Sequence, residues 1–218
     1  MILTDRQILE AYQKGCIFIK PFEENQIQPA TYDLRVGEQG GCTSTKKLVN
    51  IREVGYLLLQ PGDFAVVTTL EEIRLSPQYA GRFGLRSKHA RKGLIATTGP
   101  QIDPGYHGRL IVGITNLTPR AVSLPYKDDF LSVEFHRLEE AATKPYSGPY
   151  QDKLELGPEE IEVIAEREGM ALSEVMTTLQ SLSKNVAALA SEMSTFKWVV
   201  PLIVTIGIAV IAMIVALK

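Results

Sequence analysis

The chain has 218 residues, 22% of them charged and 45% hydrophobic, which is a globular composition at the length of one ordinary domain plus an appendage. Its 23 lysines and arginines nearly balance 25 aspartates and glutamates, leaving a net charge of -2. No global basic field is available to hold a nucleic-acid backbone, so no nucleic-acid partner is expected. Cys16 and Cys42 lie far apart in a chain whose opening residues, MILTDR, show no secretory leader pattern. Both are read as free thiols in a reducing compartment.

Thr4-Asp5-Arg6-Gln7 ahead of Ile8, Leu9 and Tyr12 is a capping-box opening to one amphipathic helix, stopped by Gly15. Short strands are expected after it, at 17–19, 32–36, 56–59, 64–67, 110–112 and 130–135. Glycine, proline and aspartate turns such as Pro61-Gly62-Asp63 separate them. The fold class that follows is mainly β, as two packed sheets or a barrel.

No Walker loop, glycine-rich dinucleotide turn, zinc-spaced histidine pair or zinc-deaminase signature occurs. His89, His107 and His136 are scattered and read as packing or surface residues. The positive signal is the run RFGLRSKHARK, which holds Arg82, Arg86, Lys88, Arg91 and Lys92 without an acidic residue. Ser87 adds a hydroxyl, and Gly84 and Gly93 permit close backbone approach, as phosphate binding requires. Ten residues on, Asp103 sits in the tight turn Ile102-Asp103-Pro104-Gly105-Tyr106, where a carboxylate could activate water or grip a sugar hydroxyl. An ordinary turn aspartate would look the same.

The C-terminal third has three parts. Residues 154–171 are acidic, with Glu155, Glu159, Glu160, Glu162, Glu166 and Glu168 against Arg167 alone. Pro158 at a first helical position, the apolar stripe Ile161/Ile164/Ala165 and Gly169 as a stop predict a short linker helix and a hinge, with a solvated acidic face. Over 172–197, apolar residues at Leu172, Val175, Leu179, Leu182, Val186, Leu189, Met193 and Phe196 form a heptad seam, read as a self-associating coiled coil starting at Ser173. Residues 198–217, WVVPLIVTIGIAVIAMIVAL, carry no charge. At about 1.5 Å per residue they reach roughly 30 Å, enough for a transmembrane helix. Trp198 and Lys197 suit the interface, and Pro201 falls in the first turn of that span. Lysines before the span outnumber the one after it, so the expected arrangement is a C-terminal tail anchor in the lipid bilayer with the N-terminal domain in the cytoplasm.

Five fragments in order resemble the dCTP deaminase and dUTPase superfamily, and specifically its deaminase branch. They are LTDRQI, QPATYDLRVG (28–37), RSKHARKGL (86–94), IDPGYHG (102–108) and KPYSGPYQ (144–151). The resemblance implies a dUTPase-like distorted β-barrel or jelly roll over 1–153, followed here by the long C-terminal helix. It also implies a homotrimer with sites shared between subunits, and a pyrimidine deoxynucleoside triphosphate escorted by Mg²⁺, with no metal ligands of the protein's own. Carried over by position, Arg86 and Ser87 resemble the pair that meets phosphate and catalytic water, and Arg91 the second arginine. Lys88 stands where a second serine is usual. Asp103 resembles the aspartate that holds deoxyribose and, in dUTPases, orients water, which makes Asp103, Ser87 and Arg91 the catalytic candidates. Tyr106, Tyr150 and Gln151 complete the nucleotide-binding set, the last two with Tyr146 at the start of a closing C-terminal segment.

The chief departure is at Gly113. Counting from Gly108 to Asn116, this is the place of the deaminases' glutamate, and glycine has no carboxylate. Losing that proton shuttle removes roughly 10² to 10⁴ in rate. Glu134 lies on a later strand, with no argument that it substitutes. Three functions remain: hydrolysis of a pyrimidine nucleoside triphosphate to monophosphate and pyrophosphate, deamination of dCTP, and an inactive nucleotide sensor or membrane effector.

Overall fold

The computed structural model describes residues 1–166 and 172–216. In chain order the elements are α1 (Asp5–Gln13), β1 (Ile17–Lys20), a 3-10 turn (Glu24–Gln26), β2 (Tyr32–Cys42), β3 (Lys47–Asn50), α2 (Ile51–Val54), β4 (Tyr56–Leu59), β5 (Phe64–Leu75) and β6 (Tyr79–Leu85). There follow α3 (Ser87–Ala90), β7 (Leu94–Ala96), β8 (Gln101–Ile102), β9 (His107–Asn116), β10 (Val122–Pro125), β11 (Asp129–Arg137), α4 (Pro158–Glu166) and α5 (Leu172–Ala216). The fold is mainly β, built on a curled antiparallel sheet. Two compact units divide the chain, Met1–Ser173 and Glu174–Lys218.

In the first unit the sheet order is β7-β9-β5-β2-β11-β6-β8, with β1 on β5 and β3 on β2, and a separate β4–β10 pair. All pairings between these strands are antiparallel. Curling comes from two long strands that change partners. The first residues of β2 pair with β11 and the later ones with β5. The register shifts between Val36 and Gly40 where the change occurs, as bulges bend a strand and raise its twist. Gly37 sits at that bend, where a Cβ would meet the Thr69 carbonyl oxygen at 2.5 Å, so only glycine fits.

Inside the curl lie Tyr32, Leu34, Phe130, Phe135, Ile8, Ile17 and their neighbours, all buried. The buried carboxylates inside have partners, although Arg35 Nη2 is left without one. Arg35 Nε donates to Glu71 Oε1 at 2.6 Å and its backbone N–H to Glu71 Oε2 at 2.8 Å. Asp63, in the predicted Pro61-Gly62-Asp63 turn, is fully buried and accepts from Gln60 N, Thr43 Oγ1, Ser44 N and Ser44 Oγ. Four donors offset the desolvation of one carboxylate.

Each of the six expected strands lies within an observed one, and α1 begins with both halves of the capping box at Thr4 and Gln7. The strands β3, β6, β7, β8 and β10 were not expected, being short or interrupted by glycine. The two thiols are free. The acidic segment forms α4, whose stripe residue Ile164 packs on the β domain. Ile164 is 1% exposed among Val66, Leu156, Phe64 and Ile111, and Glu160 is 5% exposed. The helix is amphipathic, with its acidic face interrupted by one buried carboxylate.

In the second unit α5 is continuous, so Pro201 stands inside a helix and not in its first turn. Having no N–H, it leaves one carbonyl without its usual partner, while Thr205 Oγ1 donates to the Pro201 carbonyl at 2.7 Å. The described members of the heptad seam, Leu179, Leu182, Val186, Leu189 and Met193, are 55–62% exposed along α5. Among the described residues no helix is long and apolar enough to cross a membrane. The span expected at 198–217 falls largely on side chains outside the described residues.

Candidate functional site

The sequence candidates divide between two cavities. The first, of about 330 Å³, opens beside the β8–β9 turn. Asp103, Tyr106, Tyr146 and Tyr150 line it. The turn is built by Gly105, at φ +85°, where a Cβ would lie 2.5 Å from Pro145 Cβ. Glycine therefore lets the 144–151 segment lie flat on the turn. Gln151 clamps that contact: its Nε2 donates to the Gly105 carbonyl at 3.2 Å and its Oε1 accepts from His107 N at 3.3 Å. Gln151 thus holds the turn from behind and does not line the cavity.

Tyr106 is buried, its ring centroid 5.6 Å from that of Tyr146, and its hydroxyl donates to the Arg109 carbonyl at 2.8 Å. Burial pushes its phenol well above the usual range, so it is a fixed neutral wall. Asp103 makes no side-chain hydrogen bond or ion pair among the described residues, and its carboxylate is exposed at the cavity.

Gly113 lines the same cavity, on β9 opposite Val66 of β5. Its N–H donates to Thr98 Oγ1 at 2.6 Å. A Cβ there would fall 2.7 Å from Thr97 Oγ1 and 2.9 Å from Phe64 Cε2. The volume a side chain at 113 would need is therefore held jointly by the Thr97 hydroxyl and the Phe64 ring. Glu134 lies outside both cavities, paired across the sheet with Arg82 and placing Oε1 3.1 Å from His136 Nε2. It supplies no carboxylate to Gly113.

The second cavity, of about 340 Å³, is lined by Arg86, Ser87, Lys88 and Arg91 together with Gln28, Thr31, Asp33 and Ser132. The basic run folds as the end of β6 and the single turn α3, which puts residues 87 and 91 on one side, four apart. Its charge is compensated at two of its five cations, Arg86 and Lys88, while Arg82, Arg91 and Lys92 have no ion-pair partner among the described residues. Arg86 Nη1 donates to buried Asp33 and reaches Asp129 Oδ2 at 3.3 Å, while Lys88 Nζ sits 2.5 Å from Asp128 Oδ1. Ser132 Oγ donates to the other oxygen of Asp33 at 2.5 Å. Arg91 Nε bonds only the Ser87 carbonyl, at 3.3 Å, leaving most of its guanidinium for a ligand.

His89 is buried beside this cavity, its Nε2 3.2 Å from both the Asp129 carbonyl oxygen and Asp128 Oδ2. Desolvation lowers its pKa, which fits a neutral packing residue. His107 is different, held between Glu72 Oε1 at 2.6 Å and Asp152 Oδ1 at 2.5 Å. Burial alone would lower its pKa, but the hydrogen bonds to these two carboxylates raise it on balance.

Within one chain, then, Asp103 and the Arg86–Arg91 group do not share a cavity. Asp103 can meet a sugar hydroxyl or a water; Arg91, Ser87 and Arg86 can meet phosphate oxygens. Among the described residues no cluster of three or more histidine, cysteine, aspartate or glutamate side chains is placed to hold a metal. Sequence reasoning missed Phe64, Thr97, Thr98 and Gln101 in the Asp103 cavity, and Glu159, Glu160 and Val163 from α4. Only Gln101, beside the Asp-Pro-Gly turn, could have been suspected from its place in the chain.

Comparison with known proteins agrees with the fragments read from the sequence. The profile of the family described as dCTP deaminase-like matches residues 2–138. A dCTP deaminase of Thermococcus sibiricus is 38% identical over 156 residues, covering 72% of this chain and 95% of that protein. A protein of Methanothermobacter thermautotrophicus named "dCTP deaminase, dUMP-forming" is 32% identical, covering 72% of this chain and 89% of that one. The crystal structure of the 2'-deoxycytidine 5'-triphosphate deaminase of Agrobacterium tumefaciens superposes with a TM-score of 0.53 at 19% identity, over 62% of this chain and 48% of that one, a likeness of fold. By the extent of these matches, the chain belongs to the dCTP deaminase-like family.

Proposed function

We propose that the protein binds a pyrimidine deoxynucleoside triphosphate and does not deaminate it. The observation that carries this reading is the Asp103 cavity itself, a nucleoside-sized hollow with a carboxylate at its rim and, at Gly113, the Phe64 ring in the place of an acid–base side chain. Base and sugar enter beside Asp103. The triphosphate is met by Arg86, Ser87, Lys88 and Arg91 of a second copy in a homotrimer, since the two groups lie in separate cavities of one chain. Mg²⁺ would enter on the phosphates, neutralising their charge.

A second reading is favoured by the unpaired state of Asp103. A carboxylate with no ion-pair partner among the described residues can orient water onto the α-phosphate, giving a monophosphate and pyrophosphate. The heptad seam and the apolar 198–217 stretch support a trimeric coiled coil tethered to a lipid bilayer, with the β domain on its cytoplasmic side. A tether serves a sensor or membrane effector better than an enzyme acting on a diffusing metabolite.

Calorimetric titration of the full chain with dCTP, dUTP and dTTP in the presence of Mg²⁺, followed by product analysis, tests the proposal. Saturable binding without ammonia release is expected. Pyrophosphate would select the hydrolytic reading. Ammonia at an enzymatic rate, or no binding by any of the three, would overturn the proposal.

A further inference from the structure

The helix α4 lies C-terminal to residues 2–138 that the family profile matches, yet it forms one wall of the Asp103 cavity through Glu159, Glu160 and Val163. It is docked by two contacts. Ile164 is buried in a small cluster with Val66 and Leu156, against which Phe64 packs. Lys153 Nζ reaches Glu160 Oε1 at 2.6 Å, and Glu160 Oε2 accepts from Gly157 N at 2.7 Å, capping the helix start. Phe64 belongs to both places, touching the cluster beneath α4 and bounding the cavity beside Gly113. Three carboxylates, Asp103, Glu159 and Glu160, line the cavity, and no basic side chain does among the described residues. A polyphosphate would be repelled there, whereas a neutral ring and sugar would find apolar walls and the Thr97, Thr98 and Gln101 polar groups.

Resting on the nucleotide reading above, we infer that α4 is a component of the binding site that reports its occupancy. A nucleoside filling the cavity touches Val163 and Phe64 and tightens the seat of α4. Five residues of chain separate the end of α4 from the start of α5, so the element that senses the ligand is also the one that leads into the C-terminal helix. The ligand shifts the equilibrium of α4 docking only by the contacts it makes with the docked helix, and Val163 is the residue placed to make them.

Hydrogen–deuterium exchange on the full-length chain, with and without saturating dTTP, dUTP or dCTP, reads this directly while calorimetry follows binding in parallel. Exchange of amides in 158–166 is expected to slow several-fold, with α1 unchanged as an internal reference. Val163→Ser leaves the Ile164 seat in place and removes the apolar wall; its affinity is expected to fall about four-fold, the loss of roughly one methylene's burial. Binding with unchanged exchange across 158–166, or with wild-type affinity in Val163→Ser, overturns the inference and leaves the nucleotide reading standing. No binding at all overturns both.

Discussion

The Phe64 ring stands over Gly113 so closely that a Cβ on residue 113 would lie 2.9 Å from Cε2. The absence of a side chain at 113 and the presence of an aromatic one at 64 are two halves of one packing solution. Gly113→Glu alone should therefore fail to restore deamination, because the new carboxylate has no space to enter. Gly113→Ala should lower stability by about 1–2 kcal/mol, overpacking outweighing the strand preference for alanine. In urea titrations the double variant with Phe64→Ala should be more stable than the sum of the two single losses predicts. Simple additivity would show that the two positions do not compete for space.

Arg86 and Arg91 should separate on mutation although both face the second cavity. Arg86→Ala leaves Asp33, 1% exposed, without its cation. The expected cost is about 2–3 kcal/mol, below that of a fully buried pair because the Arg86 side chain is 31% exposed. Arg91→Ala removes one exposed bond to a carbonyl and should change stability by less than about 0.5 kcal/mol while weakening triphosphate binding roughly ten-fold. Thermal unfolding with and without nucleotide distinguishes the two. Equal stability losses would place Arg91 in the scaffold.

His107 predicts a pH dependence. Its folded-state pKa is raised above the ordinary 6.5 because the Glu72 and Asp152 hydrogen bonds outweigh desolvation. The stabilising pair is thus fully present below about pH 6.5 and is lost as pH rises through the raised value. The 150–153 segment, which Asp152 and Gln151 tie to β9, should exchange faster at the alkaline end. A His107→Gln variant should show a flatter profile. Faster exchange on acidification between pH 8 and 6 would reverse the assigned sign.

Glu160 carries the opposite sign. Desolvation would raise its pKa, but the Lys153 hydrogen bond and the Gly157 N–H overcome it and lower the value below 4.5. Its contribution is present above about pH 4.5 and disappears as pH falls through the depressed pKa. Lys153→Met at neutral pH should cost about 2 kcal/mol by leaving a buried carboxylate unpaired. That loss should shrink in Lys153→Met/Glu160→Gln, as seen by chemical denaturation. An undiminished loss would mean that Lys153 acts through packing alone.

The core of the first domain was legible because alternating apolar residues around Tyr32, Val112 and Val133 have a face to bury, and turns such as Pro61-Gly62-Asp63 punctuate them. The family fragments were legible for a related reason: Gly105 and Asp103 sit where only certain backbones and charges serve. The basic run was legible as a run but not the pairing of Arg86 and Lys88 within it, because Asp33, Asp128 and Asp129 come from β2 and the approach to β11, far away in sequence. The seat of α4 was legible only in part: its apolar stripe and Lys153, seven residues before Glu160, are local, whereas Val66, Phe64 and Ile111 come from β5 and β9.

From sequence alone follow the mainly β class and the place of Asp103 in a glycine turn, set by side-chain periodicity and local backbone demands, while the family follows from its fragments standing in order. Tertiary structure alone decided that Thr97 and Phe64 fill the space at 113, that Arg86 and Lys88 of the basic run are paired with carboxylates, that the two candidate groups open into separate cavities, and that α4 walls one of them. These are contacts between segments tens of residues apart, where packing volume and paired charge, and not the local pattern, set the outcome.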